Sequence, residues 1–470
     1  MDIREFAERI VLNLPYDPNG QQIELIAALA RFCSPLVPDG TVFLLNGYAG
    51  TGKTSVTGAL VRALREVHIP VVLLAPTGRA AKVFSSFAGY PASTIHRRIY
   101  RSADGGLGYG FGEVAPNPSR NAVFIVDEAS MIGEDNGEGG PSLLEDLIEY
   151  VYSADGCRMI LLGDKAQLPP VGCAESPAMN PEKLRGLGLR VVRAVMTQVV
   201  RQGARSGILY NATWLRKALL SDPLPEPQLR LRGFSDVRVV EGGGLQDDIE
   251  SAYASCGQPE TIVITRSNRR ATQFNLAIRT EILGRDEELT RGERLMVAKN
   301  NYLWGAKDKK VDFIANGDIA VVSDIHSTEM KYGLRFADVT LTLPDRDVDI
   351  ECKILLDTLV SDTPAISAES AMRLYEGVMT DPDLFEPGLA ESIRRKALRK
   401  NPYFNALQVK YAYAVTCHKS QGGQWREVFV DMGYIPPESR GKEFYRWLYT
   451  SVTRATECLH LINPDVKLIE

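Results

Sequence analysis

Short apolar runs without polar alternation punctuate the first third of the chain. Residues 42–45, 71–74, 123–126 and 159–162 are of this kind, the pattern of strands buried on both faces. The stretches between them are compatible with helices, so the pattern predicts an α/β fold with a parallel sheet sandwiched by helices. Ligands in such sheets sit beyond the carboxyl ends of the strands. Each run is followed at once by a polar or glycine-rich segment: GYAGTGKT, APTGRAA, DEASM and GDKAQLPP. These strand ends are therefore expected to build one composite site.

A second alternation begins at 236–240 and 261–265 and returns at 410–416, 427–431 and 458–462. It predicts another α/β lobe, discontinuous in sequence. The interval 293–356 is β-rich, with ANGD at 315–318 as a turn and alternating segments such as ADVTLTL. A small barrel inserted in the second lobe is the expectation, followed by helices near 367–379 and 387–400. Residues 97–121, rich in glycine and aromatics (GGLGYGFG), read as a protruding loop or hairpin.

The segment after the first run fits the phosphate-cradling pattern GxxxxGKT. Gly47, Gly50 and Gly52 let backbone N–H groups turn inward around phosphate oxygens, and the helix starting near Lys53 points its positive end at the same anion. Lys53 would neutralise the β and γ phosphates, and Thr54 would place its hydroxyl on Mg²⁺. Asp127 and Glu128 directly follow a strand, where one carboxylate can hold the metal and its neighbour polarise an attacking water. Phosphoryl transfer is mostly positioning and charge stabilisation, so an added arginine contributes about 10³ to 10⁵ in rate. Arg201 in VVRQ and Arg454 in YTSVTRA are the candidates.

Composition narrows the remaining classes. At 470 residues, two or more domains are expected, and 44% hydrophobic with 24% charged residues is ordinary for a water-soluble globular chain. The 54 basic and 59 acidic side chains leave a net charge of −5, so any nucleic-acid binding must use a local groove. The seven cysteines are never spaced as CxxC, which suggests neither a zinc site nor a disulfide framework, and reduced thiols in a cytoplasm fit best. No apolar run approaches eighteen residues, so neither secretion nor membrane spanning is expected.

The ordered motifs, spread over nearly the whole chain, resemble superfamily 1B DNA helicases of the RecD and Dda type. The resemblance implies two RecA-like P-loop lobes closing on ATP, with a small SH3-like β-rich insert in the second. The implied layout is lobe 1 at 1–196, with a pin-like loop at 97–121, lobe 2 at 197–290 and 401–470, and the insert with its helices at 291–400. GYAGTGKTS is similar to motif I, so Gly47, Gly50, Thr51, Gly52, Lys53, Thr54 and Ser55 would hold ATP. Gln21, or its neighbour Gln22, resembles the glutamine that reads the adenine edge. VDEASMI resembles motif II, making Asp127 the metal residue and Glu128 the general base. GDKAQLPPVG resembles motif III, with Gln167 sensing the γ phosphate. Arg201 and Arg454 then look like two arginine fingers.

Further segments resemble the family's single-strand path: APTGRAA with Thr77 and Arg79, STIHR with His96, ITRSN with Asn268, and VTCHKSQGGQW with Thr416, His418, Lys419 and Ser420. They offer hydroxyls, backbone donors and positive charge for phosphates. Tyr109 and Phe111 in the pin-like segment offer rings on which a base can stack, the other reading being a solvent-exposed loop, and no strand-separating residue is identified. The implied function is ATP- and Mg²⁺-dependent helicase action on single-stranded DNA and its junctions with duplex, moving 5′→3′. The rivals are a DNA-stimulated translocase or remodeller that leaves strands paired, a P-loop phosphotransferase acting on a small molecule, and a nucleotide-switched binding protein. No protein partner is readable.

Overall fold

The computed structural model describes residues 2–100, 114–134, 142–199, 206–301, 303–305, 314–386, 389–398 and 400–470. They divide into two compact units, one comprising the described parts of 2–242 with 420–470, the other those of 243–419.

The first unit is built on a parallel sheet of six strands: β1 (Thr41–Gly47), β2 (Val71–Ala75), β3 (Ala92–Thr94), β4 (Val123–Val126), β5 (Arg158–Gly163) and β6 (Arg190–Met196), in the order β3-β2-β4-β5-β1-β6. The apolar runs are its central strands, and both faces are covered. Phe43, Leu45, Ile125, Ile160 and Leu162 pack with Val56, Leu60 and Leu64 of the helix Lys53–Glu66, and with Leu25, Ile26 and Leu29 of the helix Gly20–Phe32. Their strand neighbours Val42, Leu44, Phe124, Val126 and Leu161 face the other way, onto Leu144, Leu147 and Val151 of the helix Leu143–Tyr152. Two-residue alternation thus splits each run between two cores.

Two strands were not marked by apolar runs. β3 has only three residues, and β6, at the sheet edge, exposes much of RVVRAVM. Residues 97–99, expected in a loop, are helical instead, because Thr94 caps a helix Ile95–Ile99 by accepting the Arg97 amide at 3.3 Å. Tyr109, Phe111 and the rest of 101–113 lie outside the described residues.

The same unit carries β7 (Val237–Val240). In the second unit, β8 (Thr261–Thr265) precedes a closed barrel made of β9 (Arg294–Val297), β10 (Ile319–Lys331), β11 (Leu334–Leu343), β12 (Val348–Leu355) and β13 (Leu407–Tyr411). Its pairs are antiparallel except β12 with β13. The barrel stands where the β-rich stretch predicts one, with an added strand from beyond the helices. The run 410–416 is therefore not one strand. Its first residues close the barrel, and β14 (Ala414–Thr416) pairs in parallel with β8. At the joint, buried Glu293 accepts from Arg279 at 3.0 Å, Arg285 at 3.2 Å and the Tyr413 hydroxyl at 2.9 Å. Back in the first unit, β15 (Trp425–Asp431) and β16 (Ala455–Ile462) run parallel, with β7 beside β16.

Candidate nucleotide and nucleic-acid site

β1 ends in the glycine-rich loop. Gly50 and Gly52 have φ of +73° and +80°, a region that side chains disfavour. Gly47 is needed for a different reason: a Cβ there would lie 2.9 Å from Lys53 Cδ. The helix Lys53–Glu66 has no side-chain cap, so its first amides are left for an anion, as a phosphate site requires. Thr54 and Ser55 stand in this first turn, half-buried. Thr51 is buried, its hydroxyl donating to the Tyr48 carbonyl at 2.7 Å.

Lys53 Nζ lies 3.6 Å from Asp127 Oδ1. Burial works against the ammonium, but Asp127, Glu128 and Asp164 outweigh it and hold the Lys53 pKa above the ordinary lysine value, with Arg454 pulling the other way. Glu128 has φ of +53°, left-handed for a residue with a side chain, at a cost of about 1–3 kcal/mol. Its amide donates to Asp127 Oδ1 at 2.9 Å, fixing the bend. Glu128 Oε2, Ser130 Oγ and Gln167 Oε1 are buried without a hydrogen-bond partner. Orphaned buried polar atoms are costly, and their grouping on the two segments that follow β4 and β5 fits a site for a polar ligand. Lys53, Thr54 and Asp127, with the uncapped helix, are a donor set suited to a triphosphate and Mg²⁺.

The two glutamines have separate duties. Gln21 Oε1 accepts the Thr197 and Gln198 amides at 2.7 and 2.9 Å. Gln22, buried, closes the capping box of its helix with Asn19 and donates to the Thr51 carbonyl at 3.2 Å. Arg216 joins this corner without a sequence signal, donating to the Thr197 carbonyl at 3.1 Å and lying 4.5 Å from the Tyr48 ring centre.

Arg454 is buried on the turn after the helix Lys442–Val452. It donates to the Thr450 and Gly423 carbonyls at 3.1 and 3.2 Å. Arg201 lies outside the described residues. The same helix supplies Tyr449, which sequence reasoning missed. The Ala49 amide donates to the Tyr449 hydroxyl at 3.0 Å, and that hydroxyl donates to Asp164 Oδ2 at 2.5 Å. Burial lifts Asp164 to about 6, against the Tyr449 hydrogen bond and the Lys53 charge. Two more bonds tie the segment after β5: the Leu168 amide donates to Thr450 Oγ1 at 2.8 Å, and Gln421 Nε2 donates to the Leu168 carbonyl at 2.7 Å.

Within the first unit, Thr77 caps the helix Gly78–Ala88 by accepting the Ala80 amide at 3.2 Å. Arg79 lies 3.8 Å over the Trp425 ring and donates to the Gln424 carbonyl at 3.0 Å. A Cβ at Gly423 would meet both Arg79 Nε and the Trp425 ring below 3.0 Å. His96 sits in the helix Ile95–Ile99, where burial lowers it to about 4. Ser420 is buried. In the second unit, Asn268, Thr416 and Lys419 line a single cavity. His418 lies beside Lys419 on the short helix Cys417–Ser420.

Residues 21–217 match the family model of an AAA domain, and residues 411–462 match that of the UvrD-like helicase C-terminal domain. The ATP-dependent RecD2 DNA helicase of Deinococcus radiodurans is 35% identical over 172 residues, which is 36% of this chain and 21% of that protein. The ATP-dependent DNA helicase dda of Enterobacteria phage T4 is 32% identical over 138 residues, covering 28% of this chain and 29% of its own. Among solved structures, Pif1 helicase from Bacteroides in complex with ADP-AlF3 and ssDNA aligns over 96% of this chain and 93% of that one, at 15% identity and a TM-score of 0.47. The sequence matches cover the phosphate loop at one end and the segment bearing Tyr449 and Arg454 at the other, and the motifs between them keep their order. Over these stretches the chain is similar to RecD- and Dda-like helicases, and the matches span less than a third of the length of either relative.

Proposed function

We propose that the chain is an ATP-driven motor on single-stranded DNA that separates duplex ahead of it, moving 5′→3′. The observation that carries this reading is the convergence of Lys53, Asp127, Glu128, Asp164 and Arg454 charges within one compact unit. The protein's RecD2 and Dda relatives are named as ATP-dependent DNA helicases. In the proposed layout, 1–196 form one RecA-like lobe, 197–290 with 401–470 the other, and 291–400 an SH3-like insert.

Lys53 and the uncapped amides hold the β and γ phosphates. Thr54 and Asp127 would hold Mg²⁺, which would neutralise charge on the transferring group. Glu128, whose second carboxylate oxygen is unspent, takes the proton of the attacking water. Arg454, with Arg201 as its expected companion, stabilises charge on the phosphoryl oxygens. Gln167 reports the occupant of the site through the segment that Thr450 and Gln421 bind at Leu168. Strand contacts come from Thr77, Arg79, His96, Asn268, Thr416, His418, Lys419 and Ser420.

Duplexes carrying a 5′ or a 3′ single-stranded tail, with ATP consumption followed in parallel, test this. Unwinding of the 5′-tailed substrate alone is expected. ATP consumption stimulated by single strands without strand separation would make the chain a translocase or remodeller. ATP consumption indifferent to DNA would overturn the motor.

A further inference from the structure

The cavity of the second unit holds a cation that the functional reading does not use. Lys410 is on barrel strand β13, and Lys419 follows β14. Both line the cavity together with Asn268 and Thr416, and Met296, Leu359 and Pro364 contribute apolar walls. Its non-atom space is about 460 Å³, part of it open to solvent.

The recorded acceptors of both ammonium groups are neutral. Lys410 Nζ donates to the Ser361 carbonyl at 2.5 Å and the Thr358 carbonyl at 3.4 Å. Lys419 Nζ donates to Asn316 Oδ1. Neither forms an ion pair with a carboxylate among the described residues. Burial lowers Lys410 to about 8, with Asp362 opposing. Burial and then the charge of Lys410 lower Lys419 to about 8. Two partly buried cations that repel one another are held together by the fold, an arrangement that an anion between them would relieve.

We propose that this cavity is a nucleotide seat in which Lys410 and Lys419 jointly hold one phosphate of a single strand while Met296, Leu359 and Pro364 pack against its base. The inference rests on the reading of the chain as a single-strand motor and adds a residue from the barrel to the strand path. A phosphodiester suits the pair because one oxygen can face each ammonium. The apolar wall gives a base somewhere to leave water, whichever base it is.

Fluorescein-labelled oligothymidylate, titrated into the full chain over a salt series, tests the seat. Lys410→Met should weaken binding about tenfold at low salt and reduce the slope of log K against log salt by about 0.7, the share of one phosphate on a single strand. Lys410→Arg should stay close to the wild-type values. An abasic strand of equal length should bind the wild type about fivefold more weakly than the intact one. Wild-type affinity and slope in Lys410→Met, with the parent binding normally, would overturn the seat and leave the motor intact. Equal binding of abasic and intact strands would remove the base from it. If the parent binds no single strand at all, the motor reading falls and the seat with it. Should Lys410→Met not fold, Lys410→Gln, which removes the charge and keeps a polar side chain, decides the phosphate contact by the same affinity and slope.

Discussion

Tyr449 bridges Ala49 and Asp164: its hydroxyl accepts the phosphate-loop amide at 3.0 Å and donates to the buried carboxylate at 2.5 Å. One phenol therefore ties the loop after β1 to the segment after β5, using a helix from the last part of the chain. Burial, the Asp164 charge and its hydrogen bond hold the phenol well above its usual pKa, so the proton stays on Tyr449.

Tyr449→Phe keeps the ring and removes the bridge, leaving a half-buried amide and a buried carboxylate oxygen unpaired. Each such loss costs about 1–3 kcal/mol. Turnover of ATP should fall about tenfold and the thermal midpoint should drop by a few degrees. Steady-state kinetics and a thermal scan of the variant read both. A variant matching its parent in turnover and melting would show that the bridge carries no energy.

Arg454 is tested by a substitution that keeps charge and loses shape. Its guanidinium reaches the Thr450 and Gly423 carbonyls with two different nitrogens, a fork that lysine cannot reproduce. Arg454→Lys should lower kcat by about 10³ or more and leave single-strand affinity nearly unchanged. Affinity lost with kcat preserved would move this residue from the nucleotide to the strand.

The sequence carried some of this and not the rest, for reasons visible in particular residues. β1, β2, β4 and β5 were legible because both of their faces are buried, so the apolar runs are continuous. β6 was not, because an edge strand can show Arg190 and Arg193 to water. The break inside 410–416 was hidden by unbroken apolar and aromatic character, while the chain passes there from barrel to parallel strand. Lys53, Asp127 and Glu128 stand out because the loop chemistry is local. Tyr449 does not, because its partners are 285 and 400 residues away. Lys410 reads as one polar position in an alternating strand until the fold sets it beside Lys419.

Glu128→Gln tests the proposed proton transfer. Glu128→Gln keeps volume and the φ of +53°, but it offers water no base. ATP binding should survive, with kcat reduced about 10² to 10⁴-fold. Nucleotide titration set beside single-turnover hydrolysis separates the two, and an unchanged hydrolysis rate would assign water activation to another group.

His96 gives the molecule an acid sensitivity whose sign is fixed by burial. Its folded pKa of about 4 lies below the ordinary 6.5, so the unfolded chain takes up the proton first as pH falls. The stability that neutral His96 contributes is fully present above about pH 6.5 and is lost as pH falls toward 4, amounting to about 3 kcal/mol over the window. Denaturant unfolding of the parent and His96→Gln between pH 7.5 and 4 should show the parent losing stability more steeply. Parallel curves would mean that the imidazole is not held neutral. The same burial bears on the strand path, because a neutral ring at pH 7 brings no charge to a phosphate. Any contact it makes there is a single hydrogen bond, and the salt slope of single-strand binding at pH 7.5 should be the same for His96→Gln and its parent.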